Sequence, residues 1–194
     1  AALPALAFLN PHRPECGFPY KHLASVGIAF SIAAAVRAQM GAALDLRPLL
    51  DLVALGTIAD VAPLDGDNRI LVRAGLARIN AGEASPGVRA LMQRARLKQR
   101  MFAKDVAFNL APALNAPGRL GAATPTLELL LAEGDADAGA RAQVLLDDNA
   151  RRKEVSADLI ERATQQAAEV YGASRPAGVV LAGEGCHHGM GGIV

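Results

Sequence analysis

DADAGARAQVLLDDNARRKEVSADLIERATQQAAEVY, residues 135–171, is the stretch on which the architecture turns. It has no proline and only one glycine, Gly139. Leu145, Arg152, Val155, Leu159, Ala163, Ala167 and Val170 recur at steps of three, four or seven, which predicts one long helix. Its centre, DDNARRKE at 147–154, is charged nearly all round. A buried helix would not tolerate that, whereas a solvated connector between two domains would. Gly172 and Pro176 should end it, and AGVVLAGEG at 177–185 then reads as a short buried strand opening a second α/β domain.

Upstream, apolar positions 26, 30, 33 and 36 or 40 predict a core helix from Leu23 to Met40, stopped at Gly41. A second helix should start at Pro48, with Asp45 just ahead of it, and run through LLDLVALGTIAD to end before Pro63. DGDN at 65–68 reads as a turn with capping potential before a short helix, Arg69 to Ile79, ended by Asn80 and Gly82. SPGVRALMQRARLKQR at 85–100 is basic and amphipathic. FNLAPALNAPGRLG at 108–121 holds two prolines and two glycines, so its middle is expected to be irregular.

Composition limits the classes of function. The chain has 194 residues, 20 Lys+Arg against 19 Asp+Glu, a net charge of +1 and therefore no global electrostatic signature. An apolar fraction of 52% with 20% charged residues excludes disorder. The longest uncharged apolar stretch, 23–36, has 14 residues against the ~20 that cross a bilayer, so no membrane association is expected. Two cysteines, Cys16 and Cys186, are too few and too far apart for a disulfide framework, which points to a reducing, cytoplasmic setting. Residue 1 is Ala without a basic leader, and the chain stops just after a glycine-rich turn, so it reads as an internal segment of a longer protein.

Three residues carry the chemical interest. Asp60 falls at the C-terminal end of its expected helix, where the last carbonyls already present negative charge; a divalent cation or an arginine would reverse the sign, or the carboxylate simply caps the VAPL turn. Asp45 and Asp51 sit near the helix start, where negative charge is welcome, and read as structural. Arg119, placed by the Pro117-Gly118 turn with Asn115 nearby, can grip a phosphate through its planar fork or be an ordinary surface arginine. His187 lies in GEGCHHGMGG, where Gly183, Gly185 and Gly189 let backbone amides approach an anion; the spacing misses the dinucleotide fingerprint by one residue. The run Arg89, Arg94, Arg96, Lys98, Arg100 and Lys104 suits a phosphate backbone or a solvated helix face, with only Phe102 among it. His12, Cys16 and His22 match no zinc spacing.

Taken in order, LNPHRPECGFPYKHLASVGIAF (9–30), LLDLVALGTIADVAPLDGDNRILVRAGL (49–76), FNLAPALNAPGRLGAA (108–123) and VVLAGEGCHHGMGGIV (179–194) resemble the RecJ exonucleases of the DHH phosphoesterase superfamily. The resemblance implies an α/β fold: the C-terminal part of a DHH catalytic domain at 1–134, a long interdomain helix at 135–171 and the start of a DHH-associated α/β domain at 172–194. It implies metal-dependent 5′→3′ hydrolysis of single-stranded DNA in repair and recombination, with single-stranded DNA as partner. Asp60 falls on the last metal-binding aspartate, where it is expected to be buried against a divalent cation, Mn²⁺ or alternatively Mg²⁺. Arg119 falls on the arginine of the LNAxGR block, with Asn115 beside it facing a substrate phosphate. His187 falls on the histidine that positions the nucleotide being cut, flanked by Gly185 and Gly189.

The departures carry expectations of their own. The other ligands of a two-ion site, including the Asp-His-His triplet, are absent from this chain, so the polypeptide alone is expected to be inactive. In the last block Cys186 replaces Trp, His188 replaces Pro, and Met190 and Gly191 stand where two valines are usual. The competing readings are a DHH phosphodiesterase for short oligonucleotides or cyclic dinucleotides, and a non-catalytic single-strand-binding module.

Overall fold

The computed structural model describes residues 4, 6–97, 100–172, 174 and 176–180. Its elements are α1 (Ser25–Gln39), a 3₁₀ turn (Arg47–Leu49), α2 (Leu50–Ala59), α3 (Gly66–Asn80), α4 (Pro86–Arg94), α5 (Ala103–Asp105), a π-helical turn (Val106–Leu110), α6 (Ala111–Leu120), α7 (Thr124–Leu130) and α8 (Asp135–Tyr171). Among the described residues there is no strand. The α/β class is therefore not seen in them. Residues 177–180 are exposed and irregular, with no neighbouring strand to take up their backbone groups, and 181–185 lie outside the described residues.

The chain forms two compact units, Ala1–Ser85 with Lys98–Phe108, and Pro86–Leu97 with Asn109–Val194. In the first, α2 packs against α3 and α1. Helix α2 is apolar on every side and buries Val53, Ala54, Leu55 and Ile58. Its approach to α3 is set by Gly75, where an added Cβ would lie 2.1 Å from the Leu50 carbonyl oxygen and 2.5 Å from the Ala54 Cβ. No other residue fits that crossing. Helix α1 is largely apolar too, yet it buries only Gly27, and Ile32 and Val36 stay exposed.

The second unit is organised on α8, against which α4, α6 and α7 pack. The long helix forms over the span the sequence predicts, from a Gly134 N-cap to a Gly172 C-cap at φ +55°. It buries Ala138, Ala142, Leu145 and Asn149 at steps of four, three and four, and then Leu159. The central segment is thus not solvated all round: Asn149 is buried while Asp147, Arg151, Lys153 and Glu154 face water. Beyond Leu159 no described residue of the helix is buried. Gly87 lets α4 lie directly on α7, since a Cβ there would come 2.1 Å from the Leu129 carbonyl oxygen.

Residues 108–120 are helical rather than irregular, and Gly121 ends the stretch as a turn. Pro112 sits in the first turn of α6, where no N–H is needed, and Pro117 falls so near the end that few helical bonds remain to be lost. The wider π turn of Val106–Leu110 precedes it.

Candidate functional site

The stretch around Asp60 is built from both ends of α2. At the N-terminal end, Asp45 stands outside the helix, accepts the Arg47 N–H (3.0 Å) and pairs with the Arg47 guanidinium (2.9 Å), which holds its carboxyl down at about 2. Asp51 lies in the first turn and is fully buried. Its two oxygens accept the N–H groups of Leu52 and Ser85, each at 2.7 Å. Charge-assisted bonds from backbone amides, together with the positive end of the helix, make that burial tolerable. Asp51 is structural, as the sequence implies.

Asp60 is the C-cap residue of α2 and is exposed, not buried. Burial at a helix C-terminus would set a carboxylate against carbonyl oxygens, and solvent relieves that repulsion. Its carboxylate has no hydrogen-bond or ion-pair partner among the described residues. The capping alternative also fails: the end of α2 is closed by backbone alone, with Val61 N–H donating to Ile58 O (3.1 Å) and Ala62 N–H to Thr57 O (3.3 Å). Those two bonds make a Schellman motif, whose C′ residue must be left-handed. Here it is Val61, at φ +55°. A β-branched residue in that region costs about 1–2 kcal/mol.

The turn that follows is tied down from two sides. Asn68, fully buried, donates to His22 O (2.7 Å) and Pro63 O (2.9 Å), joining the segment before α1 to the turn after α2. Asp65 stands at the N-cap position of α3 but makes no side-chain cap. Its Oδ1 instead accepts the Tyr20 hydroxyl (2.5 Å), and that bond pushes the Tyr20 pKa up to about 12. The Tyr20 ring lies against Gly66, leaving no room for a Cβ (2.6 Å). Asp51, Asn68 and Gly75 are the positions sequence reasoning missed or undervalued; each acts on a partner more than twenty residues away, so no local pattern marks it.

In the second unit, Arg119 is in the last turn of α6 rather than on a tight loop. A cation there suits the negative end of the helix. Asn115, four residues earlier, is exposed on the same helix face, so the structure does bring these two together. His187, Gly185 and Gly189 lie outside the described residues, as do Cys186 and His188. The basic run is divided: Arg89 pairs with Asp135 (2.6 Å) in the second unit, while Arg100 stacks over the Phe102 ring (5.4 Å) in the first. Lys98 is outside the described residues.

Among the described residues no three His, Cys, Asp or Glu side chains come together as a metal site, His12, Cys16 and His22 included. Asp60 fits a divalent cation as a single ligand: an exposed carboxylate with no competing cation among the described residues, at a helix end where positive charge is favoured. No helix of the described residues is long and apolar enough to cross a membrane.

No family model matches the chain. It is 44% identical over 169 residues to the single-stranded-DNA-specific exonuclease RecJ of Dickeya dadantii (strain 3937), a match covering 81% of this chain and 29% of that protein. Against the protein of the same name from Escherichia coli (strain K12) it is 44% identical over 165 residues, covering 79% of this chain and 29% of the relative. Among solved structures, RecJ in complex with Mn²⁺ from Thermus thermophilus superposes with a TM-score of 0.76 at 38% identity, covering 93% of this chain and 26% of that one. The chain spans about 29% of the length of these curated relatives. Over the segment it covers, the chain is similar in sequence and in fold to these RecJ proteins.

Proposed function

We propose that this chain is the part of a single-stranded-DNA-specific 5′→3′ exonuclease that supplies one metal-binding carboxylate and a phosphate-binding helix end. The observation that carries the proposal is the agreement between the similarity to RecJ and the state of Asp60, a carboxylate without a partner among the described residues and exposed at the electrostatically wrong end of α2. In this reading residues 1–134 belong to the catalytic domain of an α/β enzyme, 135–171 link it to a second domain, and 172–194 begin that domain. A bound divalent cation, Mn²⁺ in the Thermus thermophilus structure, would activate a water and offset the charge of a phosphodiester. Asp60 holds one coordination position. Arg119, with Asn115 on the same face, orients the phosphate through paired N–H donors. His187, Gly185 and Gly189, outside the described residues, are assigned to binding the nucleotide being cut on the resemblance alone.

One carboxylate cannot hold two cations, so the 194-residue chain by itself has no nuclease activity. Asp60→Ala, made in a full-length RecJ carrying this segment, tests the proposal. Mn²⁺-dependent cleavage of single-stranded DNA should fall by orders of magnitude while the melting temperature without metal stays within about 2 °C. Undiminished cleavage would overturn the assignment.

A further inference from the structure

Four of the described helices end in the same backbone motif, and they differ at one residue. After α1 the pair of bonds is Gly41 N–H to Ala38 O and Ala42 N–H to Arg37 O; after α3 it is Gly82 N–H to Ile79 O and Glu83 N–H to Arg78 O. Both have glycine at the left-handed position, where no Cβ is present to clash. After α4 the position is Arg96 (φ +52°), unbranched at Cβ. After α2 it is Val61 (φ +55°), the one β-branched residue among them and the most strained. Burial does not compensate, because Val61 is 87% exposed.

A strained residue with no packing to hold it must be fixed by its surroundings, and such residues gather where a geometry has to be kept. Here the surroundings are visible. The two Schellman bonds hold Val61 from the helix side, and Pro63 confines Ala62 to extended backbone on the other. The next residue back along the chain is Asp60.

We propose that Val61 is a positioning residue for Asp60: the Schellman bonds and Pro63 hold the turn left-handed, and within that region the branched side chain leaves Val61 a narrower range of backbone angles than glycine has, which fixes the direction of the neighbouring carboxylate. Glycine in its place relieves the strain but widens that range. The inference rests on Asp60 being a metal ligand, and the experiment separates the two.

Val61→Gly, Val61→Ile and Asp60→Ala are made in a full-length RecJ carrying this segment, and metal-free melting and Mn²⁺ affinity by calorimetry are measured for each. Val61→Gly should raise the metal-free melting temperature by about 2–4 °C. It should weaken Mn²⁺ binding about tenfold, the scale at which residues behind a ligand act. Val61→Ile, branched like valine, should bind Mn²⁺ as the parent does. Val61→Gly that melts higher with unchanged Mn²⁺ affinity overturns the positioning role, and Val61→Gly that melts no higher overturns the strain. If Asp60→Ala leaves Mn²⁺ affinity unchanged, the metal reading fails, and this inference with it.

Discussion

Helix α2 carries a carboxylate near each end, and the fold treats them in opposite ways. Asp51, at the start, is fully buried and takes two backbone N–H groups, one of them from Ser85, 34 residues away. Asp60, at the close, is exposed and has no partner among the described residues. Both are aspartates on the same apolar helix, so the difference comes from the helix itself. Unpaired N–H groups gather at one end and welcome a buried anion; unpaired carbonyls gather at the other and do not. The first end is where this chain gains stability, and the second is where it keeps a charge available.

That contrast can be broken from the rigid end first. Gly75→Ala should have the largest effect, because its Cβ would meet the Leu50 carbonyl oxygen at the start of α2. A loss of about 3 kcal/mol or more is expected in urea unfolding of the chain, and a loss under 1 kcal/mol would mean that α2 and α3 are not in backbone contact. Asp51→Ala comes next, at about 2–3 kcal/mol, since it removes a fully buried carboxylate and leaves the Ser85 N–H without its acceptor. Asp51→Asn should recover part of that loss. Asp60→Ala should cost nothing, and can stabilise by about 0.3–1 kcal/mol by removing a negative charge from a helix C-terminus. Equal losses for Asp51→Ala and Asp60→Ala would erase the distinction between the two ends.

The smallest effect lies in the turn beyond Asp60. The hydrogen bond to Asp65 raises the Tyr20 hydroxyl from 10.0 to about 12, so the folded state favours the neutral phenol. Its contribution is complete below pH 10 and is lost as pH rises through 12. The melting temperature should therefore fall across that window, with a shallower slope in Tyr20→Phe. Identical slopes would show that the bond does not hold the turn.

What the sequence disclosed follows the range of the forces involved. The extent of α8 was legible because Gly172, Pro176 and a proline-free interior act locally. The strangeness of Asp60 was legible because a helix end has a sign, although the expectation that it is buried was wrong for the same reason. Residues 108–121 were misread because proline breaks a helix interior but not a first turn, and the sequence does not say where the first turn is. The burial of Asn149 in the charged centre of α8, the reach of Asp51 to Ser85 and the strain at Val61 were not legible. Each depends on backbone brought from elsewhere or on a conformation that its residue type disfavours. The family resemblance supplied what periodicity could not, namely the proposal that a carboxylate stands at the unfavourable end of a helix to meet a cation.

The most direct test of that proposal is a crystal of a full-length RecJ carrying this segment, soaked in manganese and measured at the manganese absorption edge. An anomalous peak within bonding distance of the Asp60 carboxylate is the expected result. A well-ordered manganese site with Asp60 turned away from it would contradict the account.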